Sequence, residues 1–591
     1  MYILGLHIGH NASCTLMRDG EIIYVGQEER FCRTKNIMGF PYLALKHGLE
    51  REGITGKDIE KACYSSIVDP ALFTKASYIS NFSIRDYYDY YGDKYYGRRM
   101  KGDNCLDYLQ WVRDDEKFNK HKSYFDFSFL NDDEVLLDDD KSVEAFHKEE
   151  VRFLSEEFDI PEEKIEFTDH HNGHAHYAYF ASPFRGKDCA IIVLDGWGDG
   201  VNQTVWKAEN EVISKIAESG ENDIGRVYKL ATLLLGMRPD EHEYKVMGLA
   251  PYAKDDYIDY AYEALAPLYK VENMKILHNE RPDNLYEYLK DQWLDKRFDN
   301  VGGAVQRFSE EVASALVQSI HEETGLRRFV ISGGIALNVK MNKIIGEMDC
   351  VDEFFVCGSG ADESLSLGGA YLLNEGGEPL KNYYLGYDAA DEFDSPKWDA
   401  VREEFEVTDN VSDQDVAKLL ASGEIIARIA GRAEFGARAL GNRSIMADPS
   451  RKESVYLINE AVKQRDFWMP FALSIMEERA NECLINPKNI AGPFMSIAYD
   501  TVEDNYEKIQ GGTHPYDRTA RPQIVSKEAS PKYHAIIDAF REETGIPAIL
   551  NTSFNLHGEP IVNDLEDALH TLRDSGLNYM LYENRLIKKK G

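Results

Sequence analysis

Several features that direct a protein to a membrane or out of the cell are missing from the sequence. No stretch stays apolar and uncharged for the roughly 18 residues that a membrane span requires. The opening residues 1–5 include neither a basic region nor a cleavage site, so we expect no secretory signal. The chain has 8 cysteines and no CxxC pair, which is typical of reduced thiols. These absences predict a cytoplasmic protein without a membrane partner.

Positive charge is also scarce. The chain has 67 Lys and Arg against 103 Asp and Glu, and a formal net charge of −36. Sequence-independent binding to nucleic acid depends on clustered cations, so this composition argues against a nucleic-acid partner. The acidity favours solubility but specifies no function, and it leaves a homo-oligomer open.

What the sequence does contain is enough apolar material for more than one core. A chain of 591 residues, 43% of them hydrophobic, is expected to form two or more domains. Residues 2–6 are apolar, and Asp19-Gly20 separates two further strand-like runs, which predicts a β-hairpin. The actin/sugar-kinase fold begins with such a hairpin. His10 lies in the connection between the first two strands, where a surface histidine is commoner than a catalytic base.

A histidine-rich stretch precedes a strand-like apolar run. His170 and His174 stand four residues apart, a spacing that puts both imidazoles on one face of a helix. The following apolar run ends on Asp195 beside glycines, where open α/β sheets place ligands. This set suits a divalent transition metal. A solvated histidine loop is an equal alternative, because Gly173 weakens a helix.

Two glycine-rich turns close strands further along the chain. Gly333-Gly334 leads to Asn338, and the second turn ends at Asp362. Two such turns in series suit a nucleotide and its metal. We expect Asp362 to lie beside Asp195, because we predict that their strands are parallel neighbours.

Two stretches interrupt the α/β pattern. Residues 67–160 are rich in tyrosine and acidic runs, which predicts an insertion with solvated faces; a tyrosine rim that stacks on a substrate ring is the alternative. Residues 381–408 are polar, with proline and turn signals, and predict a linker. We therefore expect one α/β domain over 1–380, with the insertion, and a second over 409–591.

Cations concentrate at a few places in this acidic chain. Lys245 lies next to a glycine-containing turn and could balance phosphate charge, although a surface lysine is commoner. In the second domain, three arginines fall within twelve residues among small residues, a pattern that favours phosphate binding because guanidinium groups bind oxyanions bidentately. Hydroxyl and amide groups end a later strand. The second-domain group is Arg432, Arg438, Arg443, Lys463, Arg465, Ser553 and Asn555.

Four motif sets resemble those of the O-carbamoyltransferase family, which includes tobramycin and cephalosporin carbamoyltransferases and nodulation protein U. They are EFGARALGNRSI, NTSFN with HGEPIV, YKVMGLAPY and SGGIALN. The resemblance covers most of the chain outside about 67–160. It implies an actin/sugar-kinase-like (ASKHA) N-terminal domain, similar to the enzyme that transfers threonylcarbamoyl to tRNA, and a YrdC-like C-terminal domain. Two positions depart from the family pattern, Asn11 for a frequent Asp and Asn36 for a common His.

The resemblance also implies roles for the candidate residues. It implies that a divalent metal, Fe(II) in particular, is bound by His170, His174, Asp195 and Asp362. His10 would be the base near the acceptor hydroxyl. The second-domain group would line the pocket for carbamoyl phosphate and Mg-ATP, with Arg438 catalytic. Nucleotide contacts are further expected from Lys245, Gly333, Gly334 and Asn338.

The implied activity is an ATP-dependent carbamoyl transfer. Carbamoyl phosphate and ATP would give carbamoyl adenylate, and the carbamoyl group would pass to the hydroxyl of a small natural-product acceptor. A sugar-kinase-like phosphotransferase would explain residues 1–370 but would leave the arginine group unused. A non-catalytic nucleotide sensor is the other alternative.

Overall fold

The computed structural model describes residues 1–121, 123–392, 397–463 and 466–590. The chain divides into two compact units, Met1–Leu380 and Lys381–Gly591. Within the described ranges, no helix is both long enough and apolar enough to cross a membrane.

The first sheet of the N-terminal unit opens the chain. Its strands are β1 (Tyr2–His7), β2 (Ser13–Arg18), β3 (Glu21–Gln27), β4 (Ile59–Tyr64) and β5 (Ile165–Phe167). Their order is β3-β2-β1-β4-β5, in which β1 to β3 are antiparallel and β4 and β5 run parallel to β1. The predicted hairpin is confirmed, because Asp19-Gly20 joins β2 to β3 with φ of 51° and 85°, as a two-residue turn of this type requires.

The second sheet repeats this topology. The strands that follow in the unit are β6 (Cys189–Gly198), β7 (Val201–Glu209), β8 (Val212–Ser219), β9 (Tyr269–Glu272), β10 (Lys275–His278), β11 (Arg328–Ser332) and β12 (Glu353–Val356). β9 and β10 form a separate hairpin, and the others have the order β8-β7-β6-β11-β12. Again three strands, β6 to β8, pair antiparallel. The next two strands across the sheet, β11 and β12, run parallel to β6. This duplicated arrangement confirms the predicted sugar-kinase-like fold class.

Helices cover these sheets. They are α1 (Glu28–Cys32), α2 (Tyr42–Glu52), α3 (Ala71–Lys75), α4 (Tyr78–Asn81), α5 (Ile84–Asp89), α6 (Tyr96–Arg99), α7 (Leu106–Asp114), α8 (Asp133–Leu137), α9 (Asp139–Phe158), α10 (His170–Phe180), α11 (Ile224–Leu234), α12 (Glu243–Leu249), α13 (Asp255–Tyr262), α14 (Leu285–Trp293), α15 (Phe298–Thr324), α16 (Val339–Glu347) and α17 (Leu365–Leu373). Helix α15 is capped at its C-terminal end by Gly325, which adopts φ of 71°.

The tyrosine-rich stretch 67–160 is folded into helices α3 to α9. Its acidic run Asp132–Glu134 is exposed, as predicted. The prediction of solvated faces does not hold for its aromatic side chains, because Tyr87, Phe118 and Phe146 are at most 1% exposed. Apolar burial of this kind fixes the stretch in the fold, and its Phe125 and Phe153 pack against Phe40 outside it.

The C-terminal unit is built on one mixed sheet. Its strands are β13 (Tyr384–Asp388), β14 (Phe405–Thr408), β15 (Ile426–Ile429), β16 (Arg432–Glu434), β17 (Arg443–Ala447), β18 (Ala472–Met476), β19 (Leu484–Ile485), β20 (Asp500–Thr501), β21 (Gln523–Val525), β22 (Ala548–Ser553), β23 (Tyr579–Tyr582) and β24 (Arg585–Lys589). The eight-stranded order is β14-β24-β23-β15-β17-β22-β18-β21. The helices of this unit are α18 (Lys397–Glu404), α19 (Asp413–Ser422), α20 (Lys452–Ile458), α21 (Ala480–Cys483), α22 (Tyr506–Ile509), α23 (Pro531–Thr544) and α24 (Leu565–Asp574).

The stretch 381–408 differs from the predicted linker. β13 pairs with β16, and β14 pairs with β24 at the edge of the eight-stranded sheet. Phe405 and Trp398 belong to the buried core of the C-terminal unit. Polar residues are frequent in this stretch, yet Phe405 and Trp398 provide buried contacts that fix it in the fold.

Candidate active site

Helix α10 presents two histidines to one side. The predicted helix is confirmed: Asp169 caps it by accepting a hydrogen bond from Asn172 N at 2.7 Å. His170 and His174 are 4% and 0% exposed. Helix α10 packs closely on α17: a Cβ at Gly173 would lie 3.1 Å from Leu365 Cδ2, and a Cβ at Gly368 would lie 2.0 Å from the Gly173 carbonyl oxygen.

Two carboxylates face these histidines. Asp195 lies on β6, where its Oδ1 accepts a hydrogen bond from Gly334 N at 2.8 Å. Asp362 follows β12. His170 Nε2 lies 3.4 Å from Asp195 Oδ2 and 3.8 Å from Asp362 Oδ1, and His174 Nε2 lies 3.7 Å from Asp362 Oδ1. One ligand atom from each of the four residues lies within 4.8 Å of the others.

The strands behind the two carboxylates are parallel but are not neighbours, which corrects one expectation. β11 lies between β6 and β12. The turn after β11 bridges the gap: Gly333 adopts φ of 94°, and a Cβ there would lie 2.2 Å from the Leu194 carbonyl oxygen. Glycine therefore allows this turn to approach β6 and lets Gly334 N bind Asp195.

The four side chains form a buried cluster of groups that could hold a metal ion. The Nε2 atoms of His170 and His174 are buried, and neither has a hydrogen-bond partner among the described residues. Burial opposes protonation of His170, but the carboxylates of Asp195 and Asp362 outweigh it and raise the pKa of His170 to about 9. Burial and the charge of His170 lower the pKa of His174 to about 3. Imidazole nitrogen with carboxylate oxygen is a donor set that fits a divalent transition metal.

A short loop places His10 beside this cluster. His10 is half-buried between β1 and β2, and its Nε2 has no hydrogen-bond partner within the described ranges. The carbonyl oxygen of His10 lies 3.1 Å from His7 Nε2. The ring of His7 is 6.4 Å from that of His170, and burial followed by the charges of His170 and His174 keeps the pKa of His7 well below its usual value. A neutral His7 thus braces the loop that carries His10.

Two candidates of the N-terminal unit remain, Asn338 and Lys245. Asn338 caps α16 by accepting from Met341 N at 3.0 Å and also bonds Gln306. Its side-chain amide is used within the fold, and its nucleotide contact stays a prediction. Lys245 lies half-buried on α12, near enough to His242 to help lower the pKa of that histidine after burial.

Helix α11 and the tyrosine-rich stretch supply another wall beside the cluster. Gly225 of α11 touches the backbone next to Asp195, since a Cβ there would lie 3.5 Å from Gly196 Cα. Lys229 is one turn later on the same helix face, and its Nζ lies 2.8 Å from Asp240 Oδ2. The same ammonium lies 6.0 Å from the centre of the Tyr78 ring. Lys229 and Asp240 keep 20% and 19% of their side chains exposed.

In the C-terminal unit, three of the predicted residues meet directly. Lys463 Nζ donates to Ser553 Oγ at 3.1 Å and to the carbonyl oxygen of Asn555 at 3.1 Å. Ser553 Oγ donates to Asn555 Oδ1 at 2.7 Å. Because Lys463 is 2% exposed, its charge is held inside the unit by these oxygens.

The three arginines of the glycine-rich loop differ in what they contact. Arg443 is 0% exposed, and its guanidinium donates to the carbonyl oxygens of Ala430 (3.0 Å), Asn563 (3.0 Å) and Tyr387 (3.2 Å). These hydrogen bonds brace the loop, and the phosphate contact of Arg443 stays a prediction. Arg432 donates to the Gly386 carbonyl at 3.3 Å.

The third arginine, Arg438, is half-buried at the centre of the loop. Arg465 lies outside the described residues.

Some important residues were absent from the sequence-based set. Glu434 Oε1 accepts from the backbone amides of Leu440 (2.7 Å), Asn442 (2.8 Å) and Arg443 (3.0 Å). A carboxylate therefore holds the loop that we predicted to bind phosphate. His7 is the last residue of the apolar strand β1, so no motif in the sequence marked it as a candidate. A second Asp-Gly pair, at Asp199, was the available signal for the turn beside the His/Asp cluster.

Comparison with known proteins places this geometry in a family. A model described as carbamoyltransferase N-terminus matches residues 2–371, and one described as carbamoyltransferase C-terminus matches residues 417–589. The first match alone covers more than half of the chain. This chain is therefore a member of the carbamoyltransferase family.

Several relatives are similar over much of the chain. Nodulation protein NolNO of Sinorhizobium fredii is 29% identical over 98% of this chain and 79% of its own length. An uncharacterised protein of Methanocaldococcus jannaschii is 31% identical over 72% of this chain and 74% of its own. Nodulation protein U of Rhizobium tropici is 31% identical over 46% of each chain.

Solved structures give weaker similarities. HypF of T. kodakarensis matches 63% of this chain and 47% of its own at 12% identity, with a TM-score of 0.31. Component A of the Acidaminococcus fermentans (R)-2-hydroxyglutaryl-CoA dehydratase matches 63% of this chain and 97% of its own at 13% identity, with a TM-score of 0.32.

Proposed function

We propose that this chain is an ATP-dependent O-carbamoyltransferase that works in two half-reactions. The C-terminal unit, with the predicted YrdC-like role, makes carbamoyl adenylate, and the N-terminal unit passes the carbamoyl group to the hydroxyl of a small acceptor. The observation that carries the proposal is the group of four buried ligand atoms within 4.8 Å in a member of the carbamoyltransferase family.

The first half-reaction must release both phosphate and pyrophosphate. Carbamoyl phosphate loses its phosphoryl group to water and leaves carbamate. A carbamate oxygen then attacks the α-phosphorus of Mg-ATP, and pyrophosphate departs. Arg438, half-buried in its glycine-rich loop, is the proposed cation for the negative charge that builds on the phosphates. An enclosed pocket also protects carbamate from water.

The second half-reaction forms the O–carbamoyl bond. The acceptor oxygen attacks the carbamoyl carbon, and AMP leaves. His10 is the proposed base: the Nε2 of a neutral imidazole can take the hydroxyl proton, and His10 Nε2 has no protein partner among the described residues. His170, His174, Asp195 and Asp362 would hold a divalent metal, with Fe(II) the metal that the family resemblance favours. When bound, the metal would supply Lewis-acid stabilisation of negative charge.

The acceptor is proposed to bind against Tyr78, Lys229 and Asp240. Their polar groups are half-buried beside the cluster, and Lys229 and Asp240 form an ion pair of 2.8 Å. An ammonium and a carboxylate can bind hydroxyl groups, and the face of an aromatic ring can pack against the body of a small molecule.

One assay separates this proposal from its alternatives. The purified chain is incubated with Mg-ATP, with and without carbamoyl phosphate, and the nucleotide products are measured. We expect pyrophosphate release that depends on carbamoyl phosphate. ADP would instead identify a sugar-kinase-like phosphotransferase, and no turnover would identify a nucleotide sensor.

Labelled carbamoyl phosphate then identifies the acceptor. With Mg-ATP and a metabolite extract of the source, label should enter a small molecule as a hydroxyl carbamate. Label on nitrogen would contradict the proposed O-transfer.

A further inference from the structure

The carboxylate of Asp199 connects two distant parts of the N-terminal unit. Its Oδ1 accepts from Ser66 Oγ at 3.0 Å and from Val68 N at 2.7 Å, and Ile67 N lies 2.9 Å from the same oxygen. Its Oδ2 accepts from His170 N at 2.7 Å. One side chain therefore holds both the first residue of α10 and the entrance of the tyrosine-rich stretch.

Asp199 itself lies on a rigid turn. Asp199-Gly200 joins β6 to β7 with φ of 49° and 86°, and Gly198 pairs with Val201 across the turn. Asn-Gly and Asp-Gly serve such a turn equally well. The turn thus explains the backbone at this position, but it does not explain the choice of a carboxylate.

The hydrogen bond to His170 meets a need of the helix. An N–H in the first turn of a helix has no acceptor within the helix, and negative charge is favourable there. Asp169 accepts a hydrogen bond from Asn172 N. The acceptor for the N–H of His170 is Asp199, in the turn between β6 and β7. The same hairpin carries Asp195, and Asp199 thereby fixes the backbone of His170 relative to that carboxylate.

We propose that Asp199 is a positioning residue for the metal centre and couples it to the start of the tyrosine-rich stretch. This inference rests on the metal centre of the proposed function. Hydrogen bonds that orient metal ligands contribute about 10–100-fold to metal affinity. Asp199 touches no proposed reacting atom; it acts through the position of His170.

The test is a titration of the metal-free, full-length protein with Co²⁺, followed by visible absorption. In Asp199→Asn the turn is retained, but an amide N–H replaces one of the two acceptor oxygens. We expect Co²⁺ binding to weaken by about 10–100-fold, with a changed ligand-field spectrum, while the thermal midpoint without metal shows that the variant is folded.

Asp19→Asn is the matched control. Asp19-Gly20 is a turn with the same signs of φ, and its carboxylate meets the Met1 amino group at 2.7 Å instead of a metal ligand. This variant should bind Co²⁺ like the unaltered protein.

Hydrogen exchange gives a second readout that needs no substitution at Asp199. Because Ile67 N, Val68 N and His170 N share one carboxylate, Co²⁺ should slow exchange of the 67 and 68 amides in the unaltered protein and in Asp19→Asn. Unchanged exchange at these amides on Co²⁺ binding, or wild-type Co²⁺ affinity in Asp199→Asn, would overturn the inference. If the unaltered protein binds no Co²⁺, the proposed metal centre itself fails, and this inference fails with it.

Discussion

Two buried groups, one in each unit, treat their polar atoms in opposite ways. In the N-terminal unit, the Nε2 atoms of His170 and His174 are buried and open toward two carboxylates. In the C-terminal unit, the guanidinium of Arg443 is equally buried but donates to backbone carbonyls. An unpaired buried polar group costs about 1–3 kcal/mol, so open atoms need a compensating ligand, whereas paired ones stabilise the fold. Residue type alone did not distinguish the two cases.

The largest expected effect is on the metal itself. His170→Ala and Asp362→Ala each remove a donor from the four-residue group, and both variants should purify with almost no divalent metal. The measurement is metal content by mass spectrometry on folded protein. His176→Ala is the control, because His176 lies on the same helix and its Nδ1 contacts the Asn172 carbonyl at 2.9 Å. Stoichiometric metal in both donor variants would refute the assignment of this cluster.

The next effect sharpens the contrast within the arginine loop. Replacing Arg438 by alanine should slow carbamoyl-phosphate-dependent pyrophosphate release by about 100- to 1000-fold, because phosphate charge is left uncompensated. Arg479→Ala removes an exposed arginine that pairs with Glu482 and should leave the rate unchanged. A normal rate in Arg438→Ala would show that this arginine faces no phosphate.

Arg443 should respond through stability instead. Arg443→Ala leaves several buried carbonyl oxygens without a donor, and we expect unfolding to become easier by about 3 kcal/mol or more. Denaturant unfolding of the variant measures this. Arg438→Ala is the comparison and should change stability by less than about 1 kcal/mol. Equal stability losses in the two variants would erase the distinction between a bracing and a functional arginine.

A smaller effect tests whether an open buried atom always marks a ligand site. Both carboxyl oxygens of Glu150 are buried, and neither has a hydrogen-bond partner in the described part of the chain. Burial, with the charge of Asp69, raises the pKa of Glu150 well above its usual value. The folded state then keeps a proton that the unfolded state loses, so stability falls as pH rises above the unfolded pKa of about 4.5.

Glu150→Gln removes this pH dependence. Between about pH 5.5 and pH 7.5, the unaltered protein should lose stability relative to the variant as pH rises, by at most about 1.4 kcal/mol per pH unit. Thermal unfolding across this range is the measurement. Glu144→Gln, exposed on the same helix and paired with Lys148, should behave like the unaltered protein. A parallel pH dependence in Glu150→Gln would mean that Glu150 ionises in the folded state.

The sequence predicted the His/Asp cluster better than the arginine loop, for a physical reason. His170 and His174 lie on a regular helix, whose period fixes their common face, and Asp195 is positioned by a strand. The order of the strands was harder, because β11 separates β6 from β12 and pairing is set by distant contacts. Arg443 begins β17 directly after an irregular loop, so no repeat in the preceding residues fixes where its side chain points. The backbone amides of that loop bind the carboxylate of Glu434.

Pyrophosphate release by His174→Ala tests the division of labour most directly. The central claim is that the C-terminal unit forms carbamoyl adenylate without the metal centre. The folded variant, supplied with Mg-ATP and carbamoyl phosphate, should release pyrophosphate at nearly the rate of the unaltered protein while transfer to the acceptor stops. Loss of pyrophosphate release in a folded His174→Ala protein would contradict the account.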